Sequence, residues 1–361
     1  MSRARWVVAM SGGVDSSVAA ALLVQAGHEV VGITMDLGGE APPPRAAGAR
    51  KCCGLPDADD ARAVASALGI RHYTADYKQE FREAVIEPFV GAYARGTTPI
   101  PCVACNRVLK FDLLVRRADM LGACGVATGH YARLAPAPDG GPALWRPRDR
   151  AKDQTYFLFD LARSVLPRLA FPLGELHKGE VRSVARELGL ATADKPESQG
   201  ICFVPDGDVR SALGRLEPEL AAGEGEIVDT QGRVLGTHAG AVGHTQGQRR
   251  GLGLAGGPWY VREVQPAANR LVVDRRPGLE RRELVAEGVS WLDGEAPRES
   301  VRVQVRHRHP SVPAQVEPLP GGRARITFDS PVFAPAPGQA AVAYDAADER
   351  LLGGGWIAAS A

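Results

Sequence analysis

Residues 10–17 read Met10-Ser11-Gly12-Gly13-Val14-Asp15-Ser16-Ser17, and this stretch decides the fold. The apolar segment Trp6-Val7-Val8-Ala9-Met10 before it reads as a buried strand. The Ala-, Val- and Leu-rich run from Ser16 to Ala26 reads as a helix, with Gly27 as its stop. A strand, a tight Gly-Gly turn and a helix start together make an anion site. The first amides of a helix have no intrahelical partners, and the helix dipole favours negative charge there. The glycines allow both the backbone angles and a close approach. The stretch lacks the Gly-Lys-Ser/Thr ending of the Walker loop, and it is not Gly-x-Gly-x-x-Gly.

Working outward, Val30–Met35 reads as a second buried strand, Ile70–Ala75 as a third strand, and Val126–Tyr131 as a strand running into a loop. Helical spacing occupies 57–68, 81–93 and 110–121. Strands alternating with helices predict an α/β fold with a doubly wound parallel sheet. Ligands of such sheets gather at the carboxyl ends of the strands, where loop 11–16, Met35 and Gly129-His130 are all expected. Two more helical patterns, 158–166 and 178–188, follow. From about Val204 the segments become short and β-rich: 225–228, 234–235, 259–261, 271–273, then 301–306, 324–328 and 339–344. This pattern predicts a small β-rich central domain and a C-terminal barrel or sandwich. The expected domains are 1–204, 205–280 and 281–361; Gly/Pro/Ala-rich patches mark 38–48, an expected mobile loop, and 331–338.

The 361 residues are 45% hydrophobic with a formal net charge of +1, so any basic surface must be local. No run approaches the roughly 18 apolar residues of a membrane span. The N-terminus carries no basic-then-apolar leader, so a cytoplasmic protein without a membrane partner is expected. The six cysteines, at 52, 53, 102, 105, 124 and 202, are too few for a disulfide scaffold. Cys102 and Cys105 form a Cys-x-x-Cys pair, but no second pair completes a four-ligand zinc site, and no dedicated metal site is visible. Placed inside a nucleotide-loop protein, the pair does not suggest simple thioredoxin-type chemistry. Between Ile201 and Phe203, Cys202 reads by its residues alone as a buried core thiol. His28, His72 and His177 read as ordinary histidines, and Cys52, Cys53 and Cys124 as structural or unassigned.

The order Ser-Gly-Gly-Val-Asp-Ser resembles the pyrophosphate loop of the ATP pyrophosphatases, which split ATP between its α- and β-phosphates and adenylate a substrate oxygen. Further segments follow in order: 99–106 ending in Cys105-Asn106, Gly129-His130-Tyr131, Lys152-Asp153-Gln154, Gly200-Ile201-Cys202-Phe203, and His244-Thr245-Gln246-Gly247-Gln248-Arg249-Arg250-Gly251-Leu252. Together they resemble the bacterial tRNA-specific 2-thiouridylases over nearly the whole chain.

That resemblance implies ATP-dependent thiolation of the wobble uridine of tRNA, with release of AMP and pyrophosphate. It implies ATP contacts at Ala9, Met10, Ser11, Gly12, Gly13, Val14, Asp15, Ser16, Met35 and Gly129. Mg²⁺ is expected with the ATP phosphates. Cys202 would take terminal sulfur from a donor protein, a cysteine desulfurase or a relay protein, and carry it as a persulfide. Cys105 would attack that persulfide and end in a disulfide with Cys202. Both thiols are expected in electropositive, partly exposed settings, with Lys195, Arg107 and Lys110 as nearby cations. The family leads one to expect Asn near position 100 and often Asp at 102, where this chain has Ile100 and Cys102; Cys102 is therefore an alternative thiol partner. Implied tRNA contacts are Ile100, Pro101, Cys102, Lys152, Asp153, Gln154, Arg249, Arg250, Arg306 and His307. The segment from His244 to Arg276 adds Trp259 and Tyr260 and carries six arginines against Glu263 and Asp274, which suits phosphate contacts and base stacking. Two other readings remain at this point: another adenylating enzyme with the same loop, such as an amide- or C–N-bond-forming ligase, and a non-enzymatic tRNA-binding protein.

Overall fold

A computed structural model describes residues 4–38, 55–197, 200–204, 207–220 and 223–359. Most of the 38–48 patch, Cys52 and Cys53 therefore lie outside the described residues. The chain divides into two compact units, Met1–Val85 with Cys102–Gly207 and Ile86–Pro101 with Asp208–Ala361.

The first unit is built on β1 (Arg5–Ala9), β2 (Glu29–Asp36), β3 (Arg71–Asp76), β4 (Gly125–Ala127), a hairpin of β5 (Arg133–Pro136) and β6 (Pro142–Trp145), and β7 (Leu169–Ala170). Five of these strands form one sheet in the order β3-β2-β1-β4-β7, every pairing parallel. Helices on the faces bury such strands on both sides, which is why Val7 and Val8 are fully buried and Thr34 is the one polar side chain between Val30 and Met35 of β2. Helix α1 (Val14–Gln25) puts Val18, Ala19, Ala20 and Leu23 into a core shared with β1, with α2 (Leu55–Ala67) and with a helix over 178–187. The strand order reverses direction at β1, between β2 and β4, so the crevice at its carboxyl end is the topological switch point.

Three expected helices differ in detail. The 81–93 stretch is split into α3 (Lys78–Phe81), a π-helical turn at Arg82–Ile86 and α4 (Glu87–Ala94). The 110–121 stretch starts already at Pro101, as α5 (Pro101–Ala104), a π-helical run Cys105–Leu113 and α6 (Leu114–Met120). The 158–166 pattern is not an α-helix but two 3₁₀ segments, Thr155–Leu158 and Arg163–Arg168. Pro167 inside the second has no amide to donate and cannot continue an α-helical ladder. The expected helix at 178–188 is present as α7 (Lys178–Glu187), whose N-cap amide, that of His177, donates to Glu180 at 2.6 Å.

In the second unit, α8 (Val209–Leu216) interrupts what reads as β-rich sequence. Asp208 caps it, accepting from the Ser211 amide at 3.0 Å and the Ser211 hydroxyl at 2.5 Å. Strands β8 (Gly225–Val228), β9 (Val234–His238), β10 (Tyr260–Gln265) and β11 (Arg270–Asp274) form a sheet in the order β10-β11-β8-β9 over Ile227, Val261, Leu271 and Val273. Six strands then close a barrel in the order β12-β15-β14-β13-β16-β17: β12 (Glu280–Trp291), β13 (Val301–Gln304), β14 (Val312–Leu319), β15 (Arg323–Phe333), β16 (Ala340–Tyr344) and β17 (Leu351–Ile357). All its pairings are antiparallel, and β12 pairs with β17 to complete the ring. The expected barrel-or-sandwich is thus a closed barrel. Residues 86–101 are tied to this unit: the Thr98 amide donates to the Pro337 carbonyl at 2.8 Å, and Gln339 donates to the Thr98 carbonyl at 3.0 Å.

Candidate active site

Between Ala9, the last residue of β1, and Val14, the first of α1, the chain turns through Met10–Gly13 at the switch point. Gly12 takes φ of +70°, and a Cβ there would lie 2.1 Å from the Asp57 carbonyl oxygen, so both conformation and space demand glycine. Gly13 is the N-cap and offers no side-chain acceptor, which leaves first-turn amides of α1 for a ligand. The loop is braced from within: the Ser16 and Ser17 hydroxyls donate to the Gly13 carbonyl at 3.1 and 2.8 Å, and the Ser11 amide donates to Ser16 Oγ at 3.1 Å. Its start is fixed by the Thr34 hydroxyl, which donates to the Met10 carbonyl at 2.8 Å. Met35 stands half-buried at the carboxyl end of β2, and Gly129 two residues beyond β4. Gly129 packs against α1 so closely that a Cβ would fall 2.7 Å from the Asp15 carbonyl carbon and the Ser16 nitrogen. The sequence-predicted nucleotide residues therefore do converge on the carboxyl edge of the sheet.

The structure adds a charge network around Asp15 that sequence reading missed. Lys178, the first residue of α7, reaches both Asp15 carboxylate oxygens at 2.7 and 2.8 Å, and Tyr131 donates its hydroxyl to Asp15 Oδ1 at 3.0 Å. Burial, then the charge of Asp15, pushes the Tyr131 hydroxyl far above its ordinary range, so it serves as a fixed donor. Lys178 also pairs with Glu197 Oε1 at 3.0 Å, and Lys152 pairs with Glu197 Oε2 at 2.6 Å. Burial works against the charge of Glu197, but its hydrogen bonds to the two lysines outweigh it and hold the carboxyl below the usual range. One sequence signal was available: a lysine opening a helix opposes the helix dipole, and such local conflicts mark functional positions.

Lys195, expected to attend Cys202, is committed elsewhere. Its ammonium bonds the Gly12 carbonyl at 2.8 Å, Asp57 at 2.6 Å and Asp60 at 2.5 Å. Arg107 likewise pairs with Asp160 at 3.1 Å. Lys110, 2.9 Å from Asn106 Oδ1, is the cation that acts on the thiols. Cys102 and Cys105 lie three positions apart on one helical run, hence on one face. Both are half-buried, as is Cys202, which lies close enough that its ionised form would raise both thiols. Burial pushes the Cys102 thiol up to about 12 and the Cys105 thiol above its ordinary value, and the opposing pull of Lys110 does not cancel it. The expected cation is present in Lys110, but desolvation of the Cys102 and Cys105 sulfurs outweighs its effect on their thiols.

Among the implied tRNA contacts, Asp153 is turned inward. It pairs with Arg146 at 2.5 Å and takes the Thr155 amide and hydroxyl at 2.9 and 2.6 Å. Gln154 accepts from the Tyr131 amide at 2.9 Å, which orients the ring that reaches Asp15. His130 is buried among Phe111 and Phe171 and bonded to Thr128 at 2.7 Å; burial keeps it neutral. In the second unit, Ile100 and Pro101 are buried, Arg249 and Arg250 are exposed, and Arg306, half-buried like His307, donates to the Ala334 carbonyl at 2.9 Å. There too the Arg275 guanidinium stacks 3.6 Å from the Trp259 ring centroid.

A parallel sheet with a Ser-Gly-Gly-Val-Asp-Ser loop at its switch point, backed by a lysine–carboxylate network, defines a protein of the PP-loop class. Family models match the chain along its length: the tRNA methyl transferase HUP domain at residues 4–206, the tRNA methyl transferase PRC-barrel domain at 215–275 and the Aminomethyltransferase beta-barrel domain at 281–357. The tRNA-specific 2-thiouridylase MnmA of Rhodospirillum rubrum is 51% identical over 366 residues, spanning 99% of this chain and 96% of that one. The proteins of the same name from Magnetococcus marinus and Chloroflexus aurantiacus are 47% and 48% identical, each match spanning 98% of both chains. The chain belongs to the tRNA-specific 2-thiouridylase family. Among the described residues no helix is long and apolar enough to cross a membrane.

Proposed function

We propose that this protein uses ATP to convert the wobble uridine of tRNA to 2-thiouridine. The observation that carries the reading is the presence, in one compact unit, of an anion loop with its lysine network and of the thiols Cys105 and Cys202. Adenylation alone needs the first; delivery of sulfur needs the second.

The loop 11–16 and the amides of α1 hold the β- and γ-phosphates, and Lys178 and Lys152 offset their charge. The C2 oxygen of uridine attacks the α-phosphorus, pyrophosphate leaves, and the oxygen becomes part of an AMP leaving group. Cys202 receives terminal sulfur from a donor protein, a cysteine desulfurase or a relay protein, as a persulfide. The Cys105 thiolate attacks the Cys202 sulfur of that persulfide, forming the Cys105–Cys202 disulfide and expelling hydrosulfide. Hydrosulfide adds at C2 and AMP departs; an external thiol reductant then reopens the disulfide. Mg²⁺ bound with the nucleotide would supply charge neutralisation to the phosphates; both Asp15 oxygens are taken by Lys178, so the ion would be held through the phosphate oxygens. Arg249, Arg250, Arg306 and His307 are the proposed phosphate contacts, with Ile100, Pro101, Cys102 and the 152–154 segment toward the target base. Residues 205–280 and 281–361 are proposed as the domains that receive the RNA.

The test is nucleoside mass spectrometry of unmodified tRNA incubated with the protein, ATP, Mg²⁺ and a sulfide source. A thiolated uridine that requires ATP and maps to the wobble position is expected. ATP cleavage to AMP without thiolation would redirect the assignment to an adenylating ligase.

A further inference from the structure

An ammonium group has three N–H donors. Those of Lys178 face three acceptors: Asp15 Oδ1 at 2.7 Å, Asp15 Oδ2 at 2.8 Å and Glu197 Oε1 at 3.0 Å. The other oxygen of Glu197 occupies Lys152 at 2.6 Å. Two lysines are thereby balanced by two carboxylates, and the cluster has no positive charge left over for a polyphosphate. A phosphate oxygen can reach Lys178 only by taking the place of one of these partners. Asp15 takes two of the three Lys178 contacts and is held again by the Tyr131 hydroxyl at 3.0 Å, whereas Glu197 makes a single contact to Lys178, the longest of the three, and keeps Lys152 when that contact is lost. Glu197 is the partner that yields.

Its place in the chain gives that exchange a consequence. Two residues earlier, Lys195 is anchored to Gly12, Asp57 and Asp60, and Arg182 donates to the Ala193 and Lys195 carbonyls at 2.7 and 3.2 Å. Lys195 is a fixed point beside the loop, Pro196 follows it, and Cys202 comes five residues after Glu197.

We propose that Glu197 is an internal counter-ion standing where ATP phosphates bind, and that its displacement by ATP is passed on to Cys202 and changes the exposure of that thiol. This rests on the ATP-site reading above. It makes Glu197 a positioning residue that couples nucleotide occupancy to sulfur loading, so that sulfur is taken up where an activated uridine can be made. The coupling is reciprocal: whatever favours the changed exposure of Cys202 also favours nucleotide binding.

The experiment uses the full chain, α,β-methylene-ATP as a nucleotide that cannot be cleaved, and N-ethylmaleimide labelling read by peptide mass spectrometry. The exposed Cys124 is the internal reference. The analogue should speed Cys202 labelling relative to Cys124 by roughly fivefold or more, the lower end of ordinary coupling between sites. In Glu197→Gln, labelling should be fast without nucleotide and indifferent to it. The analogue should bind that variant at least as tightly as the parent, because the amide competes less for the lysines. Glu197→Asp, which keeps the charge, should retain a reduced nucleotide response and carries the test if the glutamine variant does not fold. Weaker analogue binding by a folded Glu197→Gln, or Cys202 labelling in the parent that ignores bound analogue, would overturn the proposal and leave the ATP site standing. No analogue binding by the parent would overturn both.

Discussion

Replacing Gly129 by alanine is the sharpest test of how the sheet positions the loop. The added Cβ would lie 2.7 Å from the Asp15 carbonyl carbon and the Ser16 nitrogen, 0.7 Å short of the 3.4 Å at which ordinary contact begins. Both obstructing atoms are backbone, so no rotamer change relieves the overlap. One side must retreat by about that distance. The Gly129 side is clamped, because His130 is buried, packed on Phe111 and Phe171 and bonded to Thr128. The first turn of α1 therefore gives way and carries Asp15 and the loop amides with it. Overpacking of this kind costs about 1–3 kcal/mol, and in a domain of this size each kcal/mol lowers Tm by roughly 2–4 °C. A 1 Å misplacement costs about a hundredfold in rate, so a shift slightly smaller should slow adenylation by ~10–100-fold. Pyrophosphate release with saturating tRNA, alongside a thermal melt, measures both. A Gly129→Ala protein with unchanged Tm and pyrophosphate release within about twofold of the parent would refute the positioning argument.

Four other outcomes are expected. Cys105 has a raised pKa, so its reactive thiolate is the minor form at neutral pH; the single-turnover rate of sulfur release should climb with pH through the neutral and mildly alkaline range. Lys110→Ala removes the cation that opposes this rise and should lower that rate at neutral pH with adenylation unaffected; an unchanged rate would remove Lys110 from the thiol site. Cys202→Ser should carry no persulfide after incubation with a sulfur donor, and mass spectrometry that finds the extra sulfur on another cysteine would remove Cys202 from the carrier role. Arg249→Ala with Arg250→Ala should weaken tRNA binding and reduce the slope of log K against log salt by about 2; an unchanged slope would mean that neither side chain contacts phosphate.

The α/β unit was legible because strands buried on both faces write themselves as apolar runs, and because Gly12-Gly13 between such a run and a helix has few alternative uses. The closed barrel was half legible: alternation revealed its shorter strands, but β12, with charge at Glu280, Arg281, Arg282, Glu283 and Glu287, hides among polar residues. Local pattern failed at 158–166, where Leu158, Leu161 and Leu166 are buried at helix-like spacing although Pro167 and the 3₁₀ turns forbid an α-helix. The partners within the Lys178–Glu197–Lys152 network were hidden for another reason. Lys178 stands out locally only as a lysine at a helix start, nothing near it in sequence names its partners, and its pairing with Asp15 spans 163 positions. The thiol environment was misjudged because nearness in sequence stood in for nearness in space: Lys195 is seven residues from Cys202, yet it spends its charge on Asp57 and Asp60.

The barrel also sets a schedule. Its first strand, β12, finds one neighbour in β15, but its other edge waits for β17, where Ala286 pairs with Ile357. While the chain is being made, some seventy residues must emerge before that edge is covered, a late and non-local closure of the kind that folds slowly. During that interval the edge offers unpaired amides and carbonyls to any passing strand. The charged residues along β12, which obscured it as a strand, also make it a poor template for aggregation until its partner arrives.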